Sequence, residues 1–321
     1  MLSTDIQFTD VALAVDEGLS KMPKRLPSWL FYDDTGDKIF QAIMHMPDYY
    51  LTGCEYEILE MHKATLLNKF TGDGTPFNLV ELGAGDGLKT EVLLKYFVDH
   101  KTSFRYSPVD VSESVLQTLQ NRLEESVSGL TIRTINEKYD EALNQLTGND
   151  QRKVILFLGA NIGNFKPDEA QSFVNKISGS LQIDDLVLIG FDLKKDPRLI
   201  LAAYDDRFGI TRDFNMNLLT RLNRELGAQF QIDQFSHYPY YDPETGITKS
   251  YLVSLKDQRV YIEALDREIK FSRWEIIHTE VSQKYDIAMI ERLAQKANLE
   301  IVDYFYDCKH FFCDVLLRKK V

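Results

Sequence analysis

Between positions 77 and 191 short apolar runs alternate with segments of helical period. Residues 78–82, 104–109, 154–158 and 186–191 read as strands, and the run 154–158 is wholly apolar. A further strand is predicted over 130–135. Residues 88–97 read as a helix, as do 112–123 with Ser112 as its cap and 167–180 opened by Pro167. Strands alternating with helices predict a parallel sheet joined by right-handed crossovers, an α/β fold. Ahead of it, residues 55–69 form an amphipathic helix with Ile58, Leu59, Met61, Leu66 and Leu67 on one stripe. The first sixty residues are helical and irregular, punctuated by Pro23, Pro27 and Pro47, with aromatic clusters at 29–32 and 49–50.

After Lys194 the rhythm changes. A helical stretch is predicted over 197–226. It is followed by β-type segments at 230–240, 250–255, 259–265 and 268–271, with a turn at 242–246. This is an antiparallel insert. A helix restarts at Asp286 and leads into strands at 300–305 and 311–317. The expected organisation is therefore one α/β domain in two pieces, 61–196 and 286–321. A second, α+β lobe is expected from residues 1–60 and 197–285.

Composition narrows the function. The 321 residues carry 37 Lys and Arg against 49 Asp and Glu, a net charge of −12. That argues against a nucleic-acid surface, which needs a basic stripe. Cys54, Cys308 and Cys313 form no CxxC pair, so no metal site is expected, and low cysteine use suits a reducing cytoplasm. The N-terminus has no apolar leader and no run of eighteen apolar residues occurs, so neither a signal peptide nor a membrane helix is expected.

The first chemical signal is the glycine turn after the 78–82 strand. Its spacing, Glu81-x-Gly83-x-Gly85-x-Gly87, departs from the G-x-G-x-x-G of dinucleotide folds. It resembles the first motif of class I S-adenosylmethionine-dependent methyltransferases, whose sheets also close with a helix and a two-strand hairpin. Asp110, ending the next strand, has the placement to accept from both ribose hydroxyls. Lys89, early in the following helix, is placed to meet the cofactor's carboxylate or solvent.

A set of motifs in order along the chain resembles one narrower family, the histidine Nα-methyltransferases of ergothioneine biosynthesis. They include Trp29 to Asp33, Pro47 to Tyr50, Glu81 to Gly85, Phe157 to Asn164, Asp192 to Asp196, Ala203 to Asp206, Asn223 to Leu226 and Thr279 to Ser282. The resemblance implies a class I methyltransferase Rossmann-like sheet and an α+β substrate-binding domain built from the N-terminus and the insert. It also implies S-adenosyl-L-methionine as cofactor and three methyl transfers to the α-amine of L-histidine, giving hercynine. By motif, Asn164 would accept from the amine, Tyr50 and Tyr204 would hold the carboxylate or amine, and Tyr32 would lie nearby. Glu280 and Ser282 would face the imidazole. Glu81, Gly83, Gly85, Lys89 and Asp110 would form the cofactor site, with Gly159 along it. Singly, Asn164 could equally cap the helix at Pro167, Tyr204 could lie on a helix surface, and Glu280 could be a solvated strand residue.

Two positions depart from the family. Ser250 stands where its pocket has a methionine, which would reshape the side-chain site and could admit another aromatic amino acid such as tryptophan. Lys138-Tyr139 replaces an Asp-Phe pair near the adenine. There the Tyr139 N–H or ring could serve the base, but the lysine side chain cannot accept from it. The expected partner is a small amino acid, with no nucleic acid or membrane, and the expected protein is a monomer. The rival readings are a nicotinamide-dependent oxidoreductase and a non-catalytic module that binds the same cofactor.

Overall fold

The computed structural model describes residues 2–72, 74–147 and 151–320. In chain order the elements are α1 (Leu2–Ser20), β1 (Lys24–Arg25), α2 (Asp34–Met44), α3 (Tyr50–Thr71), β2 (Phe77–Leu82), α4 (Glu91–Asp99), β3 (Phe104–Asp110) and α5 (Glu113–Ser126). Then come β4 (Ile135–Asn136), α6 (Tyr139–Leu146), β5 (Lys153–Phe157), α7 (Pro167–Ser180), β6 (Leu186–Asp192), α8 (Pro197–Ala202) and α9 (Ile210–Leu226). The rest are β7 (Phe235–Asp242), β8 (Ile247–Ser254), β9 (Gln258–Ile262), β10 (Arg267–Phe271), β11 (Ile276–Gln283), α10 (Ile287–Lys296), β12 (Leu299–Tyr306) and β13 (Phe312–Lys319). No described helix is long and apolar enough to cross a membrane.

The chain divides into two units. The first holds the described residues up to Tyr50 together with Lys195–Ser282; the second holds Leu51–Lys194 and the described residues from Gln283 on. The first division falls where α3 begins, because the helix predicted from residue 55 starts at Tyr50.

The second unit is built on a seven-stranded sheet of order β12-β13-β6-β5-β2-β3-β4. Strands β2 to β6 run parallel, and β13 enters antiparallel between β6 and β12. This is the class I methyltransferase sheet. Every residue of β2, β5 and β6 is buried, as expected for central strands covered on both faces. Val80, Ile155, Phe157, Val187 and Ile189 pack with Leu143 of α6, Phe173 and Ile177 of α7, and Ile290 of α10. The first unit carries a four-stranded sheet, β1-β11-β8-β7, and a β9–β10 hairpin. Its core joins Leu218, Leu219 and Leu222 of α9 to Leu252, Val260, Ile262 and Ile277.

Some elements differ from the reading of the sequence. The strand expected over 130–135 is reduced to β4 and one bridge, Tyr106 to Ile132, because it lies at the outer edge of the sheet. The helix expected over 197–226 is broken between α8 and α9. There the Asp206 carboxylate accepts from the N–H groups of Phe208, Ile210 and Thr211, at 3.0, 3.0 and 2.8 Å, which holds a turn instead. Helix α6 and strand β11 were not predicted.

Glu81, expected at the cofactor, is instead a buried brace. It is 4% exposed, and its carboxylate accepts from the Thr90 hydroxyl at 2.6 Å and from the Tyr106 hydroxyl. Side chains alternate along β2, so the residue facing away from the apolar core aims at the start of α4 and at β3. Burial, only partly offset by the two hydroxyls, pushes its pKa from near 4.5 up to about 7. The folded chain therefore holds this proton more tightly than the unfolded chain. The stabilisation is complete below pH 4.5 and is lost as pH rises to about 7. Replacing Glu81 by Gln removes that loss, on the order of 3 kcal/mol in full. The stability gap between Glu81→Gln and the parent, followed by denaturant titration, should widen in favour of the variant from pH 4.5 to 7. A gap that stays constant would refute the shift.

Candidate active site

Parallel strands bring their C-terminal ends to one edge of the sheet, so the loops after β2, β3 and β5 gather there. After β2 the backbone turns through Gly83 with φ of +73°, and the Gly83 and Ala84 N–H groups donate to Val109 O at 2.9 and 3.2 Å. A Cβ on Gly83 would fall 2.5 Å from the Tyr139 hydroxyl, so glycine is required by both conformation and space. A Cβ on Gly85 would meet nothing within 4 Å, so the turn is open there and its backbone can lie directly against a ligand.

Asp110 ends β3 beside this turn. One carboxylate oxygen accepts from Gly85 N–H at 3.2 Å and the other from Ser112 N–H at 3.0 Å, while Asn136 donates to its carbonyl at 3.0 Å. Each oxygen keeps a lone pair, so the side chain is oriented yet able to receive a diol. Tyr139 opens α6. Its ring packs edge-on against Phe157 at 5.6 Å and tilted against Phe173 at 5.5 Å, which fixes the hydroxyl over Gly83.

Beyond β5 the chain passes two residues in left-handed conformation, Gly159 at φ +77° and Ala160 at +55°. The second is unusual for a residue with a side chain and marks a strained turn. A short 3-10 turn, Asn161–Asn164, follows. The Asn161 amide nitrogen lies 3.5 Å from where Gly83 would carry a Cβ and 3.4 Å from the same point on Gly159. It therefore bridges the two turns, a placement the sequence reading missed by choosing only the far asparagine of the same motif. Asn164 is exposed, and it does not cap α7. That role falls to Lys166, whose N–H donates to Glu169 at 3.0 Å.

Lys89 was expected to meet a ligand carboxylate or solvent. In the structure its ammonium is ion-paired to the fully buried Glu55; burial acts to lower its pKa, and the Glu55 charge outweighs that and raises it. It lies 3.5 Å from the Cβ position of Gly159, so it belongs to the wall of the same turn.

The first unit gathers the aromatic candidates. Tyr204 lies in the break between α8 and α9, is 6% exposed, and packs with Ile200, Ala203, Tyr241, Tyr49 and Tyr50. It is thus a buried residue and not one on a helix surface. It borders a cavity of about 190 Å³ lined by residues 205–209 and Arg212. The Tyr50 hydroxyl accepts from the Lys195 ammonium at 3.0 Å, and that ammonium stands 4.2 Å from the ring centroid. Lys195 carried no sequence signal beyond its place in the Asp192 to Asp196 motif. Tyr32 is 46% exposed and is held edge-on by Phe40 and Phe214 at 5.7 and 5.9 Å.

Ser250 and Glu280 are brought together. Their strands β8 and β11 are neighbours, and the buried Ser250 hydroxyl donates to a Glu280 carboxylate oxygen at 3.1 Å. Below them the Thr279 hydroxyl, 2.9 Å from Asn215 and 3.1 Å from the Ser250 carbonyl, ties β11 to α9 and β8. Ser282 follows Glu280 by two positions, the strand spacing that keeps two side chains on one face.

In the second unit, an open glycine turn, an oriented acid at the end of the next strand and a second left-handed turn fit a nucleoside carrying an amino-acid tail. S-adenosyl-L-methionine is the cofactor that matches this set. A family model described as histidine-specific methyltransferase, SAM-dependent, matches residues 11–319. The chain is 35% identical over 271 residues to the histidine N-alpha-methyltransferase of Mycobacterium tuberculosis (strain CDC 1551 / Oshkosh), covering 84% of this chain and 83% of that protein. The enzyme of the same name from Mycolicibacterium smegmatis has the same identity and the same coverage of each chain. Ergothioneine biosynthesis protein 1 of Schizosaccharomyces pombe is 27% identical over 298 residues, which span 90% of this chain and 38% of that protein. With the family model running along nearly its whole length, this chain belongs to the histidine-specific, S-adenosylmethionine-dependent methyltransferases.

Proposed function

We propose that the chain methylates the α-amine of L-histidine in three successive rounds and releases hercynine. The observation that carries the choice of histidine is the Glu280 carboxylate, oriented by the Ser250 hydroxyl at 3.1 Å and followed by Ser282 on the same strand. An oriented carboxylate accepts the N–H of an imidazole, and a neighbouring hydroxyl can meet its other nitrogen. An indole offers one N–H and no acceptor.

S-adenosyl-L-methionine, when bound, supplies a methyl group on a sulfonium, which is lost to a nucleophile in line. Gly83, Gly85, Asn161 and Gly159 would line its amino-acid part, and Asp110 its ribose. The amine must present a lone pair, so one proton leaves the ammonium first. The ammonium of a free amino acid is a weak acid, so the proton leaves through the neutral acceptor beside the amine and passes to water. Rate enhancement then rests on position. Asn164 is assigned to the amine and the two tyrosines to the amino-acid end. The Lys195 ammonium donates to the Tyr50 hydroxyl, which puts a positive charge at the end assigned to the substrate carboxylate. Neutral Asn and Tyr suit an amine whose charge changes from round to round, because a carboxylate there would hold it protonated. The reading places the enzyme in the cytoplasm as a monomer.

Mass spectrometry of the purified chain incubated with S-adenosyl-L-methionine and L-histidine should show one, two and then three added methyl groups. Methylation of tryptophan and not of histidine would overturn the substrate assignment. Glu280→Gln should raise the KM for histidine by about 10- to 100-fold, the weight of one charge-assisted hydrogen bond, and leave the KM for the cofactor unchanged. Asn164→Ala should lower kcat by about tenfold or more. Parental turnover in that variant would remove Asn164 from the amine site.

A further inference from the structure

Behind the strained turn after β5 lies a cluster of charges that the methyl-transfer reading leaves unused. Glu55 is fully buried on α3, among Cys54, Ile58, Leu59, Leu66 and Leu67 on the inward face of that helix. A carboxylate there is costly unless it is partnered. Its partners are specific. The Gly159 N–H donates to both Glu55 oxygens, at 2.7 and 2.9 Å, and the Lys89 ammonium is paired to one of them.

A second carboxyl group, Asp314 on β13, lies in the same place and is also fully buried. Neither of its oxygens meets a donor among the described residues. Burial, then the charge of Glu55, lifts its pKa well above the usual carboxylate range. Both effects favour the protonated form of this carboxyl group beside Glu55. The sheet leaves room for the pair. Gly190, opposite Asp314 on β6, could carry no side chain, since a Cβ there would fall 2.4 Å from a Glu55 oxygen and 3.1 Å from Asp314. Strands β6 and β13, helix α3 and the turn after β5 thus bring two carboxyl groups and one ammonium together.

We infer that Glu55 is a positioning residue for the cofactor site, holding the Gly159 turn and the Lys89 ammonium in place while touching no substrate or cofactor atom itself. This rests on the second unit being the part that binds S-adenosyl-L-methionine. The N–H of a residue at φ +77° is pulled inward by the Glu55 carboxylate, and the next residue is also left-handed. Releasing that N–H frees the turn to relax into the space where the cofactor's amino-acid part lies. Releasing the ammonium leaves a half-buried cation without its counter-charge. The effect falls on the cofactor and not on histidine, whose contacts lie elsewhere.

The test uses the full-length chain, calorimetry with S-adenosylhomocysteine, and steady-state kinetics with each substrate varied in turn. Glu55→Gln is close in size to the parent. Glu55→Gln with Lys89→Met removes both charges together and is the second preparation should the single variant not fold. The folded variant should bind S-adenosylhomocysteine about tenfold or more weaker, with the KM for S-adenosyl-L-methionine raised in parallel. The KM for histidine at saturating cofactor should stay within about twofold of the parent. A smaller loss of cofactor affinity, an equal rise in both KM values, or failure of both variants to fold overturns the inference and leaves Glu55 a residue of stability alone. Absence of binding by the parent chain would instead overturn the cofactor assignment on which the inference depends.

Discussion

The second unit depends on left-handed backbone at the ends of two neighbouring parallel strands. Gly83 after β2 and Gly159 after β5 both turn through positive φ, and the Asn161 side chain lies against both. Parallel pairing places Asp110 at the same edge, since β3 lies on the other side of β2. A ligand seated there meets bare backbone on one side and an oriented acid on the other. Regular strand or helix backbone would fill that space with side chains, so the site follows from where the sheet stops.

Holding such turns requires polar groups inside an apolar sheet, and the structure places them there in partnered sets. Glu81 is braced by two hydroxyls and Glu55 by an ammonium and a peptide N–H, while burial and the Glu55 charge push the Asp314 carboxyl toward its protonated form. Each is a carboxyl group where an apolar residue would stabilise the fold more simply, and each stands next to one of the loops at the sheet edge. The first unit uses polar burial differently. Ser250, Thr279 and Asn215 form a chain of hydrogen bonds that fixes the backbone around Glu280, and the Ser250 hydroxyl donates to its carboxylate. That suits a group that reads a side chain, whereas the amine end is assigned to neutral asparagine and tyrosine.

Much of this was legible in the sequence because burial on both faces writes continuous apolar runs. The strands β2, β3, β5 and β6 were each predicted to within a residue at either end. β11 was invisible for the opposite reason. Its buried positions include Thr279, Ser282 and Gln283, so the strand carries no alternation of hydrophobicity to read. The break between α8 and α9 was missed because Asp206 acts through its side chain on three peptide groups, a tertiary choice over a helical pattern. At the site, the glycines and Asp110 were readable from spacing. Glu55 was not, since a carboxylate on a helix stripe reads as a solvated residue until Lys89 and Gly159 are seen beside it. For the same reason Glu81 read as part of the cofactor motif alone, and not as the brace it is.

Methylation of histidine by this chain requires that histidine bind while the cofactor site is occupied. Calorimetric titration of L-histidine into the chain saturated with S-adenosylhomocysteine tests it directly. The account predicts saturable binding of one histidine per chain, with tryptophan giving no comparable heat. Saturable binding of tryptophan with none of histidine would contradict it.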